Sequence, residues 1–386
     1  MMDIINVVLQ YVLPFLLVLT VLVFVHELGH FLIARWNGVK VEVFSVGFGN
    51  ELWGFNDKHG TRWRLSSVPL GGYVKMFGEG DMVTGVDDAE DRPMTKDEKK
   101  VSFHHKKLSQ RSAIVAAGPI ANFAFAVLIF WFINAAFGTQ SVQSVVGEVM
   151  DNTAAQEAGL EAGDVILSID GRKITLFSEL SEIVSVSAHV TLNLEILRGD
   201  TVMRLDATPR TWRDVDGEPG KNSTQTSQTS PDQPKGLLGV RPSMAHVQTE
   251  RTGVVDGLML GFQQTYFFTA AILSGVGEMF SGERSTDELG GILSIAQFSG
   301  QAAQAGIVSI LRFMAILSIN LGLINLFPVP VLDGGHLMFY AAEAVRGKPL
   351  SQKLQEYSFR FGLALVLLLM VFATWNDFGR LWDKFG

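Results

Sequence analysis

The chain has 386 residues, 47% of them hydrophobic, and a mean hydropathy of +0.25, which is too apolar for an ordinary soluble enzyme of this length. Its formal net charge of −8 argues against a nucleic-acid partner, whose phosphates would require basic patches. The absence of cysteine excludes disulfides and thiolate metal sites, so any metal must be held by His, Asp or Glu.

Four apolar segments predict a polytopic α-helical membrane protein. The first has no charged residue between Asp3 and His26, which is long enough for a helix to cross the bilayer core. A signal peptide is disfavoured because no Lys or Arg precedes this segment and no small-residue cleavage site follows it. The predicted spans cover about 4–31, 112–137, 306–327 and 361–378.

Lys and Arg predict the orientation of these spans. They cluster within 38–111 and 328–359, so these loops are expected in the cytoplasm, with both termini and the segment 138–305 on the far side. Segment 257–280 mixes Gln and Gly with Phe and Leu. It is predicted to be an interfacial or re-entrant helix within an amphipathic linker, 247–305.

The first span ends in the most informative pattern of the chain, His-Glu-x-x-His. His26 and His30 are four residues apart, so a helix places both imidazoles on one face, where they can share a metal ion. Glu27 follows His26 and would project towards a water on that metal. The alternative is a pair of packed core histidines, although ionisable groups at the end of an apolar helix are costly and usually functional.

The loop after this span, 41–76, predicts β-strands. It contains "VEVFSVGFG" and "TRWRLSSVPLGGYVKM". Non-helical backbone at membrane depth is tolerated only where protein covers it or where it lines a cavity. We therefore expect a sheet that dips towards His26 and His30 and can bind an extended peptide along its edge, with Gly71, Gly72 and Tyr73 as candidate contacts. The alternative is a purely cytoplasmic hairpin that packs the active site.

Residues 141–246 predict a separate, β-rich domain. Short apolar runs alternate with Gly and Asp, with a short helix at Ala154 to Ala158, a hairpin turning at Gly199-Asp200, and a strand within "GLLGVRP" after the flexible loop 217–236. "GLEAGDVILSIDG" resembles a bacterial PDZ domain, of which the chain holds one copy. Such domains capture peptides by strand addition, for which the edge "VVGEV" supplies Val146, Gly147, Glu148 and Val149. The alternative is a small β-domain without a ligand.

A catalytic zinc usually has three protein ligands, so a third must come from elsewhere in the chain. The candidate is Asp333 in "NLFPVPVLDGGH", at the inner end of the third span, where prolines interrupt the helix. Asn325 could donate to substrate backbone or to an oxyanion, or form a helix–helix hydrogen bond instead. His336 is expected to support the site without binding the metal. The other histidines are expected in loops or on the surface: His59, His104, His105, His189 and His246.

Taken together, these motifs resemble the bacterial site-2 proteases, intramembrane zinc metalloproteases of the sigma-E-regulating type. The resemblance extends over nearly the whole chain and also includes "AGPIANF". It implies one Zn²⁺ per chain held by His26, His30 and Asp333, with Glu27 as the catalytic acid and base. It further implies a multi-pass protein of the bacterial inner membrane with a periplasmic PDZ domain and an active site near the cytoplasmic side. Expected substrates are single-pass membrane proteins, such as anti-sigma factors or signal-peptide remnants, already cut by an upstream site-1 protease.

Two features depart from that family. The enterobacterial type carries two PDZ domains in tandem, and the usual "GGPIGIA" reads "GGILSIA" here, with Ile292 in place of proline. Two other classes remain to be weighed. A catalytically inactive scaffold presenting a PDZ domain would normally have lost Glu27 or a ligand, and a metal transporter would need neither Glu27 nor the insert.

Overall fold

A computed structural model describes residues 6–78, 94–211, 236–243, 245, 247–282 and 290–385. Most of the predicted loop 217–236 and His246 lie outside the described residues. The chain forms two compact units, one comprising 1–133 and 257–386 and the other 134–256. The first unit is mainly helical with one sheet, and the second combines short strands with two short helices.

Four helices within the described residues are long and apolar enough to cross a membrane, as the sequence predicted. They are α1 (Leu13–Trp36), preceded by a π-helical turn at Val8–Val12, α3 (Leu108–Phe137), α8 (Ile307–Leu326) and α10 (Gln352–Phe385); the short α2 (Lys96–Val101) precedes α3. The first helix continues beyond the predicted end at Phe31. It stops at Trp36 because Gly38 adopts φ +68°, a left-handed conformation that ends helices.

The core of the helical unit lies between α1, α3 and α8. Val18 and Leu22 pack there with Phe130 and Ile319, all at most 3% exposed. The helices approach closely because small residues meet at the contacts: a Cβ on Gly29 would lie only 2.8 Å from Cβ of Ala121. Small residues allow such close approach between membrane helices. This packing places the C-terminal half of α1 directly against α3.

The predicted linker 247–305 is largely helical. It contains α6 (Val254–Ser281) and α7 (Ile292–Gln304). The first of these is one uninterrupted helix and is not among the four candidate spans. Helix α7 begins at Ile292, the position of the replaced proline. Buried Asp377 accepts hydrogen bonds there from the N–H groups of Gly291, Leu293 and Ser294, which satisfies the first turn of the helix.

The loop after α1 forms the predicted sheet. Strands β1 (Val41–Asn56) and β2 (Arg62–Met76) are long and irregular, with several register shifts. Segment 41–46 pairs with 62–65 on one side and with 72–76 on the other. Among the described residues, 72–76 pairs only with 41–46, so it is an edge. This edge runs beside α1, since a Cβ on Gly72 would lie 3.3 Å from Cγ of Glu27.

The described residues of the second unit form three small sheets and two short helices. The strands are β3 (Thr139–Val142), β4 (Val146–Val149), β5 (Val165–Ile169), β6 (Arg172–Lys173), β7 (Leu192–Arg198), β8 (Thr201–Ala207), β9 (Val240–Pro242) and β10 (Val247–Glu250), and the helices are α4 (Ala154–Glu157) and α5 (Phe177–Ser185). The largest sheet has the order β6-β5-β7-β8, and β7 and β8 form the predicted hairpin. Ile166, Leu194, Ile196 and Leu180 fill its core.

Two pairings in this unit bear on its function. Strand β4, the predicted peptide-binding edge, pairs antiparallel with β9. On its other side, Val146 donates to Asp164 O and accepts from Gly163 N–H, so much of this edge is occupied. Strands β3 and β10 pair with each other, which places Val142 directly opposite Val247. The chain therefore enters and leaves the unit through neighbouring strands.

One buried ion pair stabilises the second unit. Burial of Asp164, which is 1% exposed, would raise the pKa of its carboxyl, but hydrogen bonds from Arg198 and from the Glu161 N–H hold that pKa below its ordinary value. The guanidinium of Arg198 contacts both carboxylate oxygens at 2.8 Å. Such a two-pronged contact is among the stronger hydrogen-bonded arrangements in proteins.

Helix α9 (Asp333–Arg346) completes the first unit. Helix α8 ends at Leu326, and the chain crosses the proline-containing segment 327–332 before the helix resumes. Proline restricts its own φ and lacks an N–H, so the helix does not continue through this segment. The first residue after the interruption is Asp333.

Candidate active site

Helix α1 carries the two motif histidines on one buried face. His26 and His30 are 9% and 8% exposed. Their rings are one helical turn apart, and the two Nε2 atoms lie 3.2 Å from each other. The Nδ1 atom of His30 lies 2.9 Å from the carbonyl oxygen of Ile114 on α3. A carbonyl oxygen can only accept, so this Nδ1 carries a hydrogen, and in the neutral imidazole that binds metals Nε2 then presents a lone pair.

Asp333 completes a group of three potential ligands. Its Oδ2 atom lies 3.2 Å from Nε2 of His26 and 3.6 Å from Nε2 of His30. All three ligand atoms lie within 4.8 Å of one another, and no other such group occurs in the part of the chain that the structure describes. The fold thus brings together His30 and Asp333, which are 303 positions apart in the sequence (333 minus 30).

The spacing of these three atoms fits a zinc ion. Zinc–ligand bonds of about 2.0–2.1 Å in a tetrahedron separate neighbouring ligand atoms by about 3.3 Å. The observed separations of 3.2, 3.2 and 3.6 Å match that edge. Oδ2 of Asp333 is buried and has no hydrogen-bond partner among the described residues. A buried carboxylate oxygen facing a histidine lone pair is unfavourable unless a cation lies between them.

A cavity of about 290 Å³ opens beside this group. Its walls come from the end of α1, strand β2, α3 and the segment before it, the end of α8, the segment 327–332, and α9. The lining residues include the predicted Glu27, Tyr73, Asn325 and His336 together with Val74, Met76, Phe103, His104, Val115, Val331, Leu332 and Tyr340. The cavity therefore borders the three potential ligands as well as Glu27, which gives a substrate room to approach.

The remaining predicted site residues have different positions. Tyr73 lines the cavity, whereas Gly71 and Gly72 do not. These glycines instead allow β2 to lie close to β1. A Cβ on Gly72 would lie 2.7 Å from Ser45 O, and a Cβ on Gly71, which has φ +135°, would collide with the Phe48 ring. The amide of Asn325 donates to Leu321 O of its own helix at 3.0 Å, rather than to another helix.

His336 and His104 lie at the cavity as well. His336 is on α9, one turn beyond Asp333, and does not belong to the three-ligand group. His104 was predicted to be a loop or surface residue. It is exposed, as expected, but it also lines the cavity, because the short 3-10 helix Phe103–His105 lies at its rim. Sequence spacing gave no signal for this placement.

A buried contact holds α9 against the start of α3. Arg111 contacts Glu343 at 2.6 Å, and its guanidinium lies 5.0 Å from the centre of the Tyr340 ring. Both partners of the ion pair are largely buried, with side chains 13% and 17% exposed. Because α9 begins with Asp333, this contact fixes the helix that carries the third potential ligand. It was not predicted from the sequence.

Helix α3 supplies two further residues that the sequence analysis left without a role. A Cβ on Gly118 would lie 2.6 Å from Cε1 of His30 and 2.8 Å from Cε1 of His26. Asn122, one turn further, is fully buried and contacts Nδ1 of His26 at 3.1 Å. Both belong to the motif "AGPIANF", and their four-residue spacing in an apolar helix was the available signal.

Comparison with known proteins agrees with this geometry. Residues 14–369 match the profile of peptidase family M50. The chain is 42% identical over 370 residues to a protein of Rhizobium meliloti named as a zinc metalloprotease, and 40% identical over 371 residues to one of Agrobacterium fabrum; in both cases 96% of each chain is covered. It is 36% identical over 388 residues to the metalloprotease MmpA of Caulobacter vibrioides, covering 95% of this chain and 94% of the relative.

These relatives span nearly the whole length of the chain, so the similarity includes both halves of the candidate site. Their names specify the metal as zinc, which suits a ligand set of two imidazoles and a carboxylate. The four apolar helices place the molecule in a membrane. The chain belongs to peptidase family M50, the site-2 protease family, and is a membrane zinc metalloprotease.

Proposed function

We propose that the protein performs regulated intramembrane proteolysis, hydrolysing peptide bonds in or near the transmembrane helices of single-pass membrane proteins. One observation carries this proposal: three ligand atoms spaced for a tetrahedral metal lie at the wall of a cavity that also contains a carboxylate. The proposed roles are zinc binding by His26, His30 and Asp333 and proton transfer by Glu27.

The chemistry of the site follows from these roles. Bound zinc supplies Lewis acidity and lowers the pKa of water to about 7. Glu27 takes the proton of the attacking water and passes it to the nitrogen of the departing amine, as a general base and then a general acid. Asp333 and the two imidazoles hold their positions throughout. Asn325 lines the cavity. One hydrogen of its amide nitrogen is donated to Leu321 O, and the second is a candidate donor to substrate backbone or to an oxyanion.

Strand β2 offers the means of binding an unwound substrate. The amides of a transmembrane helix are protected by their own hydrogen bonds, so the scissile segment must become extended before attack. Segment 72–76 is an edge beside Glu27, to which the Val74 N–H is hydrogen-bonded. An added strand that displaces this contact would satisfy backbone groups of the unwound peptide. Tyr73 on this edge lines the cavity.

The distribution of Lys and Arg supports an orientation in the bacterial inner membrane with the active site near the cytoplasmic side. The second unit would then be periplasmic. Its similarity to a PDZ domain is supported by "GLEAGDVILSIDG" and by the small antiparallel sheets with two short helices. Upstream cleavage by a site-1 protease would remove the outer domain of a substrate before it reaches this site.

The substitution Glu27→Gln tests the catalytic proposal. Purified full-length protein is reconstituted with a single-pass substrate that has been trimmed on its outer side. Cleavage is measured by mass spectrometry and zinc by elemental analysis. We expect loss of cleavage with zinc retained, because the side chain is proposed as a base and not as a ligand. Glu356→Gln, which alters an exposed pair on α10, is the matched control. Loss of zinc from Glu27→Gln, or cleavage at the wild-type rate, would contradict the assignment.

We further propose that the second unit acts as a size filter, admitting trimmed substrates and blocking those with a bulky outer domain. A folded unit of about 100 residues has a radius of gyration near 13 Å, which is large enough to cover a lateral entrance. Recruitment of a peptide end along Val146–Val149 is less favoured because β9 already occupies one side of that strand.

Deleting 143–246 tests the filter with little disturbance of the remaining chain. Val142 and Val247 are direct partners across two antiparallel strands, so a short Gly/Ser turn can join them. We expect cleavage of the trimmed substrate to persist and cleavage of the untrimmed one to appear. The recruitment hypothesis predicts reduced cleavage of the trimmed substrate, with none gained for the untrimmed one.

A further inference from the structure

The two proposed zinc ligands on α1 have different partners for their second ring nitrogen. The carbonyl of Ile114 fixes the hydrogen of His30 on Nδ1, which leaves Nε2 free for the metal. The corresponding Nδ1 of His26 lies 3.1 Å from the side-chain amide of Asn122. An amide, unlike a carbonyl, can either donate or accept, so the tautomer of His26 depends on the orientation of that amide.

The orientation with Nδ2 towards His26 is chemically incompatible with metal binding by Nε2. An amide nitrogen only donates, so it would require a lone pair on Nδ1 and a hydrogen on Nε2, the atom 3.2 Å from Oδ2 of Asp333. In the same orientation Oδ1 of Asn122 is buried without a hydrogen-bond partner among the described residues. Buried amide oxygens without a donor are rare.

Rotating the amide by 180° exchanges its nitrogen and oxygen. Oδ1 then faces Nδ1 of His26 and accepts its hydrogen, and Nε2 becomes a lone-pair donor that matches Nε2 of His30. The direction in which a buried asparagine points is assigned from its hydrogen-bond network. Here zinc binding decides the orientation, because it requires a lone pair on Nε2 of His26 and therefore a hydrogen on Nδ1, which only the amide oxygen can accept.

We propose that Asn122 is a positioning residue that holds His26 in its Nδ1–H tautomer, so that both imidazoles present Nε2 to the zinc. This inference rests on the proposed ligand set. Asn122 is fully buried on α3, and the hydroxyl of Ser318 on α8 donates to its backbone oxygen at 2.8 Å, so its own position is fixed by a second helix. Partners of this kind orient a ligating ring and raise its basicity.

The test compares zinc affinity in two variants of Asn122. Asn122→Leu has a similar shape but cannot accept a hydrogen bond, whereas Asn122→Asp can only accept. Zinc affinity of the purified full-length protein is measured by competition with a chelator, without reference to proteolysis. We expect Asn122→Leu to bind zinc about 10- to 100-fold more weakly and Asn122→Asp to bind at least as tightly as the wild type. Ser299→Ala, which removes the hydrogen bond of a buried hydroxyl within α7 and leaves Asn122 and its contacts unchanged, should bind as the wild type.

The opposite order would overturn the proposal. If Asn122 only fills space, the apolar Leu variant binds zinc normally, and Asn122→Asp is the weaker binder because it buries a charge. Thermal unfolding of the metal-free proteins checks folding, and Asn122→Ala replaces the Leu variant if the latter does not fold. A separate variant tests the ligand set on which this proposal rests. If His26 were not a zinc ligand, His26→Ala would bind zinc as tightly as the wild-type protein.

Discussion

Replacing Gly118 by alanine should disable the site without touching any group that takes part in the chemistry. The new Cβ would lie 2.6 Å from Cε1 of His30 and 2.8 Å from Cε1 of His26, and closer still to Nε2 of His30. Ordinary contacts begin at 3.4 Å, so the shortfall at Cε1 of His30 is 0.8 Å (3.4 minus 2.6). Either the rings or α3 must move by at least that distance.

A displacement of this size is large for a zinc site. Ligand distances are held to about 0.2 Å, and a misplacement of about 1 Å in an active site can lower the rate about 100-fold. We therefore expect Gly118→Ala to reduce zinc affinity and to lower kcat/KM for a trimmed substrate by about two orders of magnitude. Both quantities are measured on protein purified in detergent, with zinc affinity determined by chelator competition.

Gly277→Ala is the matched control. Gly277 also lies within a helix, α6, but a Cβ there would meet nothing within 4 Å. Alanine should stabilise that helix by about 0.5–1 kcal/mol and leave zinc binding and cleavage unchanged. If Gly118→Ala retained wild-type zinc affinity and cleavage, the close packing of α3 against the two rings would not be what positions them. Equal losses in both variants would point to a general effect of the substitution instead.

Two other predictions follow from the described contacts. Asp333→Ala should lower zinc content together with cleavage because it removes a proposed ligand, whereas His336→Ala, one turn away, should retain zinc; the reverse result in elemental analysis would transfer the ligand role to His336. In the second unit, the lowered pKa of Asp164 means that its contribution to stability is present above the unfolded-state pKa of about 3.9 and is lost as the pH falls through the lower folded-state value. Cleavage of this unit by pepsin should therefore increase as the pH falls through that acidic range. Asp164→Asn weakens the contact with Arg198 by about 1–3 kcal/mol, so this variant should be cleaved already at a higher pH than the wild type. The same dependence of cleavage on pH in both proteins would refute the role of the pair.

Local sequence was sufficient to predict the spans, the motif histidines and the hairpin turning at Gly199-Asp200. Hydropathy over about twenty residues decides whether a helix can cross a membrane, and four-residue spacing decides which side chains share a helical face. These are properties of one segment at a time. The same reasoning named Asp333 as the third potential ligand, because a carboxylate in an interrupted apolar helix requires a cation.

Tertiary structure alone decided what surrounds those residues. Packing of α3 and the segment before it against α1 and α9 brings four further residues to the site: Gly118, Asn122, Arg111 and His104. Nothing in their local sequence specifies which helix they face, because an apolar helix with little amphipathic character has no preferred side. The contacts are set by where small residues let two backbones approach. The sequence therefore determined which groups could bind the metal, and packing determined how each imidazole is oriented and what shape is left for the substrate.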